Sequence, residues 1–182
     1  MKQRAFLLTS LCVISAHSFA QGTFAGGPSD QRAFNQIVSD GTASVEGVEN
    51  DALVKKRWIE ASRRLCSSPE AAVFSQKKDW VGYVRDVNMA DNGDVRLDLQ
   101  INEMGNRVKT INLPRQFEDT ALMLRKGGFF SPLSGDKVVF SGFFRRGNTN
   151  ENECLDTWSI FSSPKLVREN FVFEFSSLRP AQ

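Results

Sequence analysis

The apolar positions change their period once along the chain. Before residue 80 they recur at helical spacing, and after it they alternate. SDQRAFNQIVSDG, residues 29–41, sets Phe34, Ile37 and Val38 on one face, with Ser29 or Asp30 expected to cap the helix and Gly41 to end it. GTASVEGV then reads as a linker. NDALVKKRWIEASRRLC is the stronger helix: Asn50 caps it, and Val54, Trp58, Ala61 and Leu65 form a single apolar stripe. That stripe has to be buried, so this second helix is expected to dock on the rest of the domain. Lys55, Lys56, Arg57, Arg63 and Arg64 fill its other faces and read as a solvated surface, favoured near the C-terminus by the helix dipole. An anion-binding helix is the alternative.

The alternating half breaks into strands. DWVGYVRDVNM is the first, and Gly82 inside it predicts a bulge or sharp bend. DNGD, residues 91–94, is a hairpin turn. In VRLDLQI, Val95, Leu97, Leu99 and Ile101 point one way and Arg96, Asp98 and Gln100 the other. EMGN turns the chain into RVKTINL, residues 117–126 can hold a short helix, and Gly127-Gly128 breaks it. GDKVVFSGFFRR is the fourth strand. Both its faces are apolar, so it is expected to be covered on both sides. Gly142 fits where a small barrel turns a corner or two strands approach closely. The phenylalanines then serve as wall and filling; an exposed aromatic platform for single-stranded nucleic acid is the alternative. A polar loop at 148–153 leads to a fifth strand at 154–161. After SSPKLVREN, the stretch FVFEFSSL turns Phe171, Phe173 and Phe175 inward.

The first twenty residues alter the meaning of the composition. Lys2 and Arg4 precede an apolar run too short to span a bilayer, and Ser18-Phe19-Ala20 is a small-x-small cleavage site. A signal peptide cut after Ala20 is expected, which places the protein in the periplasm or outside the cell. The remaining 162 residues hold 21 bases, 21 acids and no histidine. They suit one domain with an extension: a flexible lead with a short helix over 21–49, then a helix and barrel over 50–182. Zero net charge argues against a non-specific grip on nucleic acid or anionic lipid. Without histidine there is no Ser-His-Asp triad, Cys-His pair or His-bearing zinc site. No metal or cofactor is expected, and the calcium spacing D-x-[DN]-x-[DN]-G is absent. Cys66 and Cys154 survive cleavage as an even pair. In an oxidising compartment a disulfide is the default, two free thiols being the alternative.

W-V-G at 80–82, V-V-F-S-G-F-F at 138–144, Cys154, Ser159 and F-x-F-x-F at 171–175 resemble a group of small exported bacterial proteins, largely uncharacterised. In that group a helix ending in Cys, here Cys66, precedes the W-x-G strand. The likeness covers roughly residues 50–178. It implies an α+β chain, mainly β with N-terminal helices: a five-stranded OB-like barrel with a helix docked on it and a Cys66–Cys154 link. It implies no catalytic residue. SSPKLVREN departs from the acidic, Pro-Glu-containing loop found there, so that surface can serve another partner.

OB barrels bind along strands two and three and through the loops after strands one and four. That geometry selects Arg96, Asp98 and Gln100, with Lys109, Tyr83 and Arg85, then Lys165 and Arg168, and Arg145 and Arg146, as a candidate binding face. An ordinary mixed-charge surface is the plain alternative for each. The leading expectation is a non-catalytic module for a protein partner in the envelope or outside the cell: an assembly component, or an inhibitor or immunity-type protein. Nucleic-acid or glycan binding is second. A carboxylate hydrolase built on Asp91, Asp94 and Asp98 is third, since DNGD is better explained as a turn.

Overall fold

The computed structural model describes residues 24, 27–110, 112–128, 132–147, 154–156 and 170–181. Five strands close a barrel in the order β1-β2-β3-β5-β4: β1 Lys77–Met89, β2 Val95–Gln100, β3 Arg107–Lys109, β4 Lys137–Phe144 and β5 Asn170–Pro180. Neighbours are antiparallel except β3 and β5, which run parallel. Two helices precede the barrel, α1 Ser29–Val45 and α2 Asp51–Ser67, and a short α3, Glu118–Leu122, lies between β3 and β4. The five-stranded OB-like barrel with a docked helix is thus the architecture. Of the predicted strand over 154–161, residues 157–161 lie outside the described residues and Leu155 makes a bridge to Arg146; the fifth described strand is β5. The predicted signal peptide lies outside the described residues, among which no helix is long and apolar enough to cross a membrane.

Closure depends on β1, which serves two partners. Its first half, Lys77 to Tyr83, pairs with β4, and its second, Tyr83 to Met89, pairs with β2. Gly82 sits at the changeover. A Cβ there would meet Leu99 Cβ at 3.2 Å, Phe140 Cε1 at 3.2 Å and the Gln100 carbonyl oxygen at 3.3 Å. The bulge expected near it falls at Arg85, where the register slips between Val84 and Asp86.

β4 corrects one expectation. Val138, Phe140, Gly142 and Phe144 are buried, but the opposite face is open, and Phe143 is 43% exposed. A barrel strand has one inside, so of its three phenylalanines Phe140 and Phe144 fill the core, with Val138, and Phe143 does not. Gly142 is where β5 presses closest: a Cβ would lie 2.0 Å from the Glu174 carbonyl oxygen and 2.6 Å from Phe173 Cε1. Gly142→Ala is therefore expected to cost about 2–3 kcal/mol by forcing β4 and β5 apart. Urea denaturation measures this; a loss under about 0.5 kcal/mol would show that the strands yield freely.

The helices are joined differently from the expectation. Gly41 does not end α1, which runs on to Val45 through the predicted linker. It is instead the helix-crossing point, its missing Cβ leaving room for Ala61 Cβ at 2.8 Å and the Trp58 ring at 3.4 Å. Neither Ser29 nor Asp30 caps α1, whose N-cap is Pro28. Asn50 caps α2 as expected, its Oδ1 accepting the Leu53 N–H at 3.0 Å. The helix that docks on the barrel is α1. Phe34 enters the aromatic core, while Gln31 pairs with the β1 backbone: its Nε2 donates to the Val81 carbonyl at 2.7 Å, and its Oε1 accepts the Val81 N–H at 2.9 Å. Asn35 Nδ2 donates to the Ile101 carbonyl at 3.0 Å. α2 packs on α1, with Leu65 reaching the core and Arg64 pairing with Asp40 at 3.0 Å. Cys66 is bonded to Cys154, their Cα atoms 6.1 Å apart.

Lys77 is fully buried, whereas its neighbours Lys78 and Asp79 are exposed. Its ammonium donates to the carbonyls of Ala71 at 2.8 Å and Ala72 at 2.5 Å, lies 3.5 Å from Asp30 Oδ2, and sits over the Trp80 ring at 5.7 Å. It thereby joins the α2–β1 loop, α1 and the core. Burial pushes its pKa below 10.5, and Asp30 opposes that shift. A lysine whose pKa falls on folding binds its proton less tightly in the native state. Its penalty is complete below the folded pKa and is shed as pH rises towards 10.5. The stability of the wild type relative to Lys77→Met should therefore increase with pH in alkaline urea titrations, and a flat difference up to pH 10.5 would contradict the shift.

Candidate functional site

The outer face of β1, β2 and β3 carries most of the predicted binding residues. Across antiparallel strands, directly opposed residues share a face. Asn88 opposes Arg96, Asp86 opposes Asp98, and Tyr83 opposes Gln100; on the other side Asp98 opposes Lys109 and Gln100 opposes Arg107. The bulge at Arg85 makes this possible. Val84 points inward, the extra residue absorbs one step, and Asp86 and Asn88 return to Tyr83's side. Uninterrupted alternation would have put Asp86 in the core.

The middle of this face is an open cleft of about 180 Å³ between Asp86, Asn88, Arg96, Asp98, Lys109 and Thr110, with Leu97 also lining it. Asp98 is 8% exposed, and its Oδ2 faces Arg107 Nη1 at 3.0 Å and Lys109 Nζ at 3.3 Å. Its buried Oδ1 has no hydrogen-bond partner among the described residues. Asp86 Oδ1 is 3.4 Å from Lys126 Nζ, and its Oδ2 accepts from Asn88 Nδ2 at 2.9 Å. Arg96 is exposed and makes no ion pair among the described residues. Arg96, Arg107, Lys109 and Lys126 thus surround two carboxylates, a local positive excess on a chain whose expected mature form is neutral. The arrangement provides cationic donors beside polar side chains, suited to holding a polar or acidic group by contact.

The end of the face at Tyr83 is covered. Phe24, inside the stretch read as a flexible lead, is 3% exposed and meets the Tyr83 ring edge-on, centroids 5.3 Å apart at 81°. Its backbone N–H donates to Glu103 Oε1 at 3.2 Å. Burial raises the Tyr83 pKa above 10.0, with the Glu103 charge adding to the effect. Gln100 is buried, and its Nε2 donates to the Asn102 carbonyl at 2.8 Å, so it supports the next turn instead of facing a ligand.

The structure separates the remaining candidates. Arg145 pairs with Asp156 at 3.4 Å, and Arg146 lies over the Phe74 ring at 4.6 Å. Both follow β4, with β5 between them and β3, so they do not join the cleft. Arg85 occupies the bulge, half-buried. Lys165 and Arg168 lie outside the described residues. Asp91 and Asp94 belong to the hairpin turn: Gly93 takes a φ of 86°, and Asn92 Oδ1 accepts the Asp94 N–H at 3.2 Å. Arg107, Asp86 and Phe24 escaped the sequence reading. Arg107 was legible, two residues before Lys109 on the same face; Asp86 needed the bulge and Phe24 the tertiary fold.

No protein-family model, curated protein or solved structure matches the chain.

Proposed function

We propose that this chain is an exported, non-catalytic binding module, periplasmic or secreted after cleavage behind Ala20, that contacts a protein partner through the outer face of β1, β2 and β3. The cleft beside Arg96 carries this reading. It combines an exposed arginine with no ion pair among the described residues, the nearby cations Arg107 and Lys109, and the polar Asn88 and Thr110. Mixed polarity around an arginine suits protein recognition, where arginine is a frequent anchor. An envelope assembly component or an inhibitor or immunity-type protein fits such a face. The positive excess around the cleft favours OB-type nucleic-acid or acidic-glycan binding as the second reading, in which affinity falls steeply with salt.

Affinity capture from the source's envelope fraction tests the proposal, using the tagged chain from residue 21 and its Arg96→Glu and Lys109→Glu variants. One stoichiometric protein that survives high salt and is lost from both variants is the expected result. Nucleic acid or glycan that elutes with salt, with no protein, would replace this reading with the second.

A further inference from the structure

Phe24 meets Tyr83 and Glu103 through both its side chain and its backbone. The Phe24 ring packs edge-on against Tyr83, the same residue gives its backbone N–H to a carboxylate, Glu103, and its carbonyl closes a turn by accepting the Gly27 N–H at 3.1 Å. The chain then enters α1, whose Arg32 guanidinium donates to the Gly27 carbonyl. A Cβ at Gly27 would fall 2.4 Å from Gln31 Oε1, so the chain passes tightly under the Gln31–Val81 pairing. Tyr83, Gln100 and Arg107 form one cross-strand row, and Asp86, Asp98 and Lys109 the row beside the cleft. Residues two apart on a strand are about 6.6 Å apart. Phe24 therefore sits next to the cleft, on the same face.

We propose that Tyr83 and Glu103 form a subsite for an aromatic residue of a peptide, and that Phe24 is its internal occupant, which a partner's aromatic side chain displaces. The inference rests on the reading of this face as a protein-binding surface and names what the partner must present: a Phe, Tyr or Trp with a free backbone N–H, followed by small residues. Two features specify that ligand. Glu103 accepts a main-chain N–H, which any peptide supplies. Tyr83 offers a ring whose other neighbour on the row, Gln100, is turned away to Asn102. Before α1 begins, the segment's described ring contact and hydrogen bond to the barrel domain are those with Tyr83 and Glu103, neither of which belongs to the strand pairing, so exchange needs no opening of the barrel. An intramolecular occupant on a short tether competes at an effective concentration of about millimolar. The native chain should thus bind free peptides weakly and release the subsite only to a partner that also engages the cleft.

The chain holds a single tyrosine, so a fluorotyrosine label or the phenolate absorbance reports on Tyr83 alone. The experiment uses the chain carrying Phe24→Ala and the synthetic peptide GTFAGG, residues 22–27 of the chain itself. With Phe24→Ala, the Tyr83 titration should move back towards 10.0, and GTFAGG should bind, shift the label and raise the titration again. GTAAGG should bind about tenfold or more weakly, because the buried ring supplies most of the contact. Glu103→Gln added to Phe24→Ala should weaken GTFAGG further, and the wild type should bind it least. Phe24→Leu, which keeps an apolar side chain over Tyr83, guards against loss of fold: it should retain native stability yet still admit GTFAGG better than the wild type. Equal binding of GTFAGG and GTAAGG, or a Tyr83 signal untouched by either, would overturn the inference. A protein captured equally by wild type and by Tyr83→Ala would overturn it while leaving the proposed function intact. Peptide binding at Tyr83 without any captured protein would uphold the subsite and remove the protein-partner reading.

Discussion

Replacing Cys66 and Cys154 with alanine is expected to lower stability by about 4–5 kcal/mol, the chain-entropy value for a closed loop of this length. The bond spans 88 residues and encloses β1 to β4, so it restricts the unfolded chain over most of the barrel. In the native state it anchors the end of α2 beside Leu65, which reaches the core, and α2 is also held to α1 by the Gly41–Ala61 crossing and the Arg64–Asp40 pair. The variant should therefore keep the barrel's circular dichroism while its urea midpoint falls. Reductant should lower the wild-type midpoint to match and leave the variant unchanged. A loss below about 1 kcal/mol would mean that the unfolded chain is already compact, or that α1 alone fixes α2.

Phe34→Ala is expected to cost about 3–5 kcal/mol. Phe34 is fully buried at the point where α1 closes the barrel. Its ring stacks on Phe144 at 5.0 Å and 8°, and meets Trp80 at 5.4 Å and Phe171 at 5.2 Å edge-on. Those rings continue into Phe140, Phe173 and Phe175, so the substitution opens a cavity inside a continuous aromatic cluster. The surrounding rings are fixed by three strands and cannot collapse inward. Phe143→Ala is the control: that ring is on the outside, and its removal should change stability by no more than about 0.5 kcal/mol. Equal losses from the two would place α1 off the barrel.

Strand alternation made β2 readable in the sequence. Val95, Leu97, Leu99 and Ile101 are all buried, as their period demands. The turns at 91–94 and 103–106 were legible for the same local reason: Gly93 and Gly105 both take positive φ, at 86° and 88°. β4 departs from its apolar pattern at Phe143, which is exposed, because composition carries no sign of which side of a barrel wall a residue faces. α1 was cut short at Gly41 because a glycine that ends a helix and one that admits a neighbouring helix look alike until the neighbour is present. On the candidate face, Arg96, Asp98 and Lys109 followed from alternation, whereas the bulge at Arg85 had to be seen before Asp86 could be placed beside them.

Local pattern and composition were enough for the two periods, the turns, the even cysteine pair, the lack of histidine after the predicted cleavage and the inward phase of most strands. Each depends only on residues a few positions apart, or on composition. Tertiary structure decided which helix closes the barrel, that Lys77 is a buried tie between α1 and the α2–β1 loop, and that Phe24 covers Tyr83. Those contacts join residues 47 and 59 positions apart for Lys77–Asp30 and Phe24–Tyr83. Burial of a lysine or exposure of a phenylalanine depends on what the closed chain brings alongside it, and no local pattern carries that information.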